Sequence, residues 1–155
     1  ETSKLEDCLR NTGICFMFAP NHHPAMKHVA QVRQLLGFRT IFNMLGPLLN
    51  PANVRNQIVG VYSKDVFNIY KDVFEKEDKN VCLIAGHDGN DEISLSGINL
   101  IFTNKNGIIH FDPKILNCSK MMVDEIKGSD AIFNADRIIE IFKCIIVNFC
   151  IIALI

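Results

Sequence analysis

Residues 57–86 read QIVGVYSKDVFNIYKDVFEKEDKNVCLIAG, and this stretch decides the fold. Residues 58–62 form a short apolar run of strand length. Asp65 offers an N-cap for a helix running to about residue 75, and residues 81–85 make a second apolar run that ends at Gly86. Strand, helix, strand predicts a parallel pair joined by a crossover helix. In such sheets ligands gather at the loops that follow the carboxyl ends of the strands, and residues 87–92 fall in such a loop.

Downstream, residues 98–103 and 108–111 flank the turn pair Asn106 and Gly107, which predicts an antiparallel hairpin. Residues 129–142 read as a helix capped by Ser129 or Asp130. Upstream, Ala25, Val29, Val32 and Leu36 recur at helical spacing, with Pro24 suited to the first helical position and Gly37 to the stop. A shorter helix is expected over 40–45, ended by Gly46 and Pro47, with Asn50 and Pro51 extending the loop. The opening residues run into Gly13 as the end of something helical and lack a Met, so the chain is expected to start inside a domain.

The totals describe an ordinary globular domain: 155 residues, 48% hydrophobic and 21% charged, with a formal net charge of −1. That balance supplies no basic surface for nucleic acid or for an anionic membrane. The apolar tail 138–155 is interrupted by Glu140, Lys143 and Asn148, so a buried helix is expected there rather than a membrane span. Six scattered cysteines without a CxxC pair read as buried free thiols, and no secretory leader opens the chain; both suit a reducing cytoplasm.

Three segments hold candidate chemistry. APNHHPAMK, residues 19–27, sets two histidines before a helix whose first-turn amides favour an anion. Adjacent histidines diverge, and no HExxH or Cys partner accompanies them, so a metal is not the expected ligand. Arg33 on the same helix can meet a carboxylate with two parallel donors, a surface salt bridge being the other reading; Lys27 and Arg39 share that ambiguity. DGNDEIS, residues 88–94, places Asp91 and Glu92 side by side after a strand. Magnesium takes one or two protein carboxylates and completes its shell with water and phosphate oxygens, so the pair fits a metal–phosphate site; a solvated acidic turn is the alternative.

Taken together and in order, these segments resemble the anthranilate phosphoribosyltransferases. The run FAPNHHPAMKHVAQVRQLLGFRTIFNMLGPLLNPA, residues 18–52, is similar to that family's signature almost residue for residue, and QIVGVYS, DGNDEIS and KGSDAIFNADRIIEIF follow as expected. The resemblance implies a nucleoside phosphorylase/phosphoribosyltransferase-like α/β domain with a mixed, mainly parallel sheet over about 56–155, and part of a small helical subdomain over about 24–50. It implies transfer of the phosphoribosyl group from 5-phosphoribosyl 1-pyrophosphate to the amine of anthranilate, with Mg2+ assisting, in tryptophan biosynthesis. By the same resemblance His23, Arg33, Gly46 and Pro47 would line the anthranilate side, Asp91 and Glu92 would hold magnesium, and the full-length protein would be a homodimer.

The family's Gly-Thr-Gly-Gly-Asp loop and Lys-His-Gly-Asn segment do not occur in these 155 residues and are expected upstream of Glu1, so this stretch alone is expected to be inactive. The ending NFCIIALI resembles the family's closing helix only loosely. Two other readings stand beside this one: a non-catalytic relative of the same fold that binds nucleic acid, which would need a basic face, and a decayed fragment without activity.

Overall fold

Val59, Leu83 and Phe102 stand side by side across three strands, each almost wholly buried, and this row is the centre of the core. It belongs to a four-stranded sheet of order β1-β2-β3-β4, formed by β1 (Asn56–Gly60), β2 (Asn80–Ala85), β3 (Asn99–Thr103) and β4 (Gly107–Phe111). A computed structural model of the chain describes residues 2–22, 26–50, 52–117, 120, 124 and 127–143. The chain divides into two units, Glu1–Asn53 and Val54–Ile155, and the sheet lies in the second.

β1 and β2 run parallel with Val59 opposite Leu83, whereas β2–β3 and β3–β4 are antiparallel, so the sheet is mixed and the unit is α/β. Successive residues of a strand face opposite sides, which puts Val59, Val81, Leu83, Ala85 and Phe102 on one face. Helix α5 (Lys64–Phe74) connects the parallel pair and packs on β2, burying Val66, Phe67, Tyr70 and Phe74 along one stripe. Asn104 fastens the same layer, accepting from the Val81 N–H at 2.7 Å and donating to the Phe74 carbonyl at 2.9 Å. Complete burial of Phe67 and Phe74 is worth roughly 1.5–3 kcal/mol for each side chain.

Several local expectations need correction. The cap of α5 is Ser63, whose hydroxyl accepts from the Val66 N–H at 3.3 Å, and Asp65 lies in the first turn instead. Ser63 is extended (φ −155°), as an N-cap requires, while an acidic residue two positions on, within the first turn, suits the helix dipole. β1 begins two residues earlier than the apolar run suggests, because the polar pair Asn56 and Asn80 joins the ladder through a 2.8 Å side-chain hydrogen bond. Of the two caps expected for α6 (Ala131–Phe142), Asp130 is the one that forms, accepting from the Phe133 N–H at 2.9 Å.

The first unit contains α1 (Thr2–Thr12), α2 (Ala19–His22), α3 (Met26–Leu36) and α4 (Phe42–Leu45). Gly13 (φ +78°) and Gly37 (φ +65°) follow α1 and α3 in the left-handed conformation that stops a helix. Gly46 and Pro47 do not end the winding after α4: Gly46 keeps a right-handed φ of −52°, and a 3-10 turn continues over Gly46–Leu49 with Pro47 in its opening positions. Proline lacks only an N–H that a first turn leaves unused. No described residue of this unit is buried, which is why Cys8 is exposed and not the buried thiol expected; its Sγ lies 3.3 Å from the Ile14 carbonyl. Cys15 and Cys82 are free and half-buried, and burial pushes the Cys82 thiol up. Cys118, Cys144 and Cys150 lie outside the described residues, as does the tail beyond residue 143. Among the described residues no helix is long and apolar enough to cross a membrane.

Candidate functional site

The loop that leaves β2 returns across the carboxyl ends of both parallel strands. Its opening turn is held by the Gly86 N–H donating to the Asn90 carbonyl at 2.8 Å and the Gly89 N–H donating to the Gly86 carbonyl at 3.1 Å, with Gly89 at φ +76°. Two glycines make room for it: a Cβ on Gly60, at the end of β1, would overlap the Asp91 carbonyl, and one on Gly86 would overlap the Glu92 carbonyl. A third, Gly97, lets the His87 ring lie against the backbone, at 2.5 Å from where a Cβ would be. The acidic pair therefore sits at the carboxyl end of the parallel strands, where α/β sheets collect ligands.

Behind the pair is a buried polar knot. Asn99, fully buried at the start of β3, accepts from the Ser94 N–H at 2.7 Å and donates to the carbonyls of Ser94 at 2.9 Å and Gly97 at 3.0 Å. The Ser94 and Ser96 hydroxyls lie 2.6 Å apart, and both donate to Oδ2 of Asp88, Ser94 at 2.7 Å. Those two hydroxyls hold the Asp88 carboxyl below the usual carboxylate range, with His87 and Lys120 adding to the effect. Asp91 and Glu92 are exposed, and partial burial followed by the neighbouring Asp91 charge raises the Glu92 carboxyl.

Glu92, Asn90 and Ser94 line a cavity of about 330 Å³ whose other wall includes Asp124, Lys127 and Gly128. The next residue, Ser129, is held by Asn134, whose side chain accepts from the Ser129 N–H at 3.0 Å and donates to the Ser129 carbonyl at 3.2 Å. Among the described residues no third His, Cys, Asp or Glu joins Asp91 and Glu92 into a metal-binding cluster. Of the pair only Glu92 lines this cavity; two adjacent exposed carboxylates are nonetheless a donor set of the kind magnesium takes, its remaining positions being filled by water and phosphate oxygens.

In the first unit, Arg33 is half-buried and lines a separate cavity of about 340 Å³ with Ala30, Gln34, Phe38 and Asn43. Within its unit no described carboxylate pairs with it, unlike the surface salt bridge that its sequence position also allowed. Gly46 and Pro47 do not line that cavity, nor does Arg39, and His23 lies outside the described residues. Sequence reasoning singled out Asp91, Glu92 and Arg33 but missed Asp88, Ser94, Ser96, Asn99 and Lys127. The available signal was Asn99, a lone amide opening an otherwise apolar strand, since a buried amide must find partners.

A mixed sheet backed by a crossover helix, with a carboxylate loop anchored over its parallel strand ends, defines an α/β domain with an acidic loop at its strand ends. The chain belongs to the glycosyl transferase family, a/b domain, which it matches over residues 1–144. It is 51% identical over 106 residues to the anthranilate phosphoribosyltransferase of Methylibium petroleiphilum, covering 68% of this chain and 31% of that protein. The crystal structure of anthranilate phosphoribosyltransferase (TrpD) from Thermus thermophilus matches with TM-score 0.79 and 31% identity, over 88% of this chain and 41% of that one. The Saccharomyces cerevisiae enzyme in complex with PRPP and Mg matches with TM-score 0.59 and 30% identity, over 66% of this chain and 29% of that one. The resemblance read from the sequence motifs is thus borne out, and the chain spans 30–42% of the length of curated relatives it matches.

Proposed function

We propose that this chain is the carboxy-terminal portion of an anthranilate phosphoribosyltransferase of tryptophan biosynthesis. The complete protein transfers the phosphoribosyl group of 5-phosphoribosyl 1-pyrophosphate to the amine of anthranilate and releases pyrophosphate. The observation that carries this reading is the anchored DGNDEIS loop, with Asp91 and Glu92 exposed over the ends of β1 and β2, in a chain related to such enzymes. On this reading residues 24–50 belong to a helical subdomain and 56–155 to the α/β domain, and the complete protein is a cytoplasmic homodimer that engages neither nucleic acid nor membrane.

In this proposal Asp91 and Glu92 hold Mg2+, which supplies neutralisation of the charge on the departing pyrophosphate. Arg33 pairs with the anthranilate carboxylate through two parallel donors. His23, Gly46 and Pro47 shape the surroundings of the ring. An aromatic amine is already a neutral nucleophile, so the protein's task is to position it against the ribose carbon, and no strong general base is required.

The test joins the portion of the Thermus protein lying outside the match to this chain and follows loss of anthranilate fluorescence with 5-phosphoribosyl 1-pyrophosphate and Mg2+. The joined protein is expected to consume anthranilate, and the 155 residues alone are not. Arg33→Ala should raise KM for anthranilate roughly tenfold or more, as loss of a charge-assisted pair does, and leave KM for the pyrophosphate substrate nearly unchanged. A folded joined protein that leaves anthranilate untouched, or an Arg33→Ala variant that weakens both substrates equally, would contradict the assignment.

A further inference from the structure

Residues 88–92 hold three carboxylates, Asp88, Asp91 and Glu92, and their chemistry alone would let any of them meet a cation. Their surroundings separate them. All three are exposed, but no described side chain hydrogen-bonds to Asp91 or Glu92, whose backbone carbonyls are seated over Gly60 and Gly86. Asp88 accepts from both Ser94 and Ser96, whose side chains are buried, and both hydroxyls converge on the same oxygen, Oδ2. Ser94 is tied through its own N–H and carbonyl to Asn99 at the root of β3.

We propose that Asp88 is a positioning residue and not a metal ligand: it bridges the start of the loop to Ser94 and Ser96 and so holds the Asp91–Glu92 turn over the strand ends. The proposal rests on the reading of Asp91 and Glu92 as the magnesium pair. The bridge closes the loop on itself. The Gly86–Asn90 hydrogen bond pins its beginning, Asn99 pins its end, and the Asp88 carboxylate joins the two, with the acidic pair held between. Without the bridge the loop loses its one connection between Asp88 and the buried serines, and the two carboxylates must be ordered anew when a cation arrives. Because a single oxygen takes both hydroxyls, an amide carbonyl can stand in for the carboxylate here, whereas a direct metal ligand cannot be so replaced without losing charge.

The test titrates the 155-residue chain with Mn2+ alone, read by water-proton relaxation, and measures hydrogen exchange at the Ser94 and Ser96 amides. Asp88→Ala should weaken Mn2+ binding by about tenfold, the effect of removing an outer partner of a metal site, and speed exchange at both amides. Asp88→Asn should stay within about twofold of the parent on both measures, and the Asp91→Asn, Glu92→Gln double variant should lose binding without faster exchange. If Asp88→Asn loses Mn2+ as fully as the double variant, Asp88 is a ligand and the proposal is overturned; unchanged binding and exchange in Asp88→Ala overturns it equally. If the double variant keeps its Mn2+ affinity, the metal reading of the pair fails, and the exchange result alone decides the anchoring role of Asp88. Should Asp88→Ala not fold, Ser96→Ala, which removes one of the two hydroxyls, takes its place with the same expected directions.

Discussion

Gly60→Ala tests whether the acidic loop rests on the end of β1. A methyl group at that position would lie 2.7 Å from the Asp91 carbonyl carbon and 3.1 Å from its Cβ, and closer still to the carbonyl oxygen. Carbon atoms in contact settle at about 3.5–4.0 Å, so the loop or the strand must retreat by roughly an ångström. No side-chain rotation relieves the clash, because the obstacle is backbone held by the Gly86–Asn90 and Asp88–Ser94 hydrogen bonds at 2.8 and 2.7 Å. Overpacking of this kind costs about 1–3 kcal/mol, and in a domain of about 100 residues each kcal/mol lowers Tm by about 4–8 °C. The assay is thermal unfolding by far-ultraviolet circular dichroism, suited to a chain with no tryptophan. Gly46→Ala is the matched control: Gly46 has φ −52° and nothing within 4 Å of its added Cβ, so its Tm should hold or rise slightly. A Gly60→Ala variant that melts with the parent, or a Gly46→Ala variant that falls as far, refutes the reasoning.

Two further outcomes follow from the same packing. Phe67→Ala should cost about 3–5 kcal/mol in urea unfolding, because the ring is fully buried between α5 and the sheet, whereas Ile69→Ala on the exposed side of the same helix should cost far less. Asp88 carries a pH signature: its carboxyl is held lower in the folded chain than in the unfolded one, so its contribution is present above the unfolded pKa of about 4 and is lost as pH falls through the folded value. Between about pH 5 and about pH 3 the parent should therefore lose more stability than Asp88→Asn; parallel losses would show that the two serine hydroxyls do not stabilise the charge.

The strand–helix–strand core was legible because its three parts differ in period. Residues 81–85 are continuous apolar residues, as a strand buried on both sides must be, while Val66, Phe67, Tyr70 and Phe74 mark one helical stripe. Element ends were less legible. The competition between Ser63 and Asp65 for the cap of α5 turns on which residue is extended, and Asn56 enters β1 only because Asn80 faces it across the ladder. Both depend on partners more than twenty residues away or on a backbone angle, and neither leaves a periodic trace. The winding through Gly46 and Pro47 escaped for a similar reason: both residues commonly end helices, yet both also fit a right-handed turn.

The candidate site shows where composition stops being informative. In DGNDEIS the carboxylates are chemically alike and close together, so sequence alone assigns them to one acidic turn. What divides them is the segment that follows. Ser94 and Ser96 are buried, and a buried hydroxyl that found no partner would cost about 1–3 kcal/mol, so an acceptor is drawn to them. Asp88 meets that need because Gly89, at φ +76°, turns the chain back immediately after it. Asp91 and Glu92 are exposed, as Asp88 is, but no described side chain hydrogen-bonds to them, so water alone stabilises their charges. The division of labour among the three acids thus follows from two buried serines and one left-handed glycine, and a variant of this loop that kept every acid but lost Ser94 and Ser96 would keep the charge and lose the arrangement.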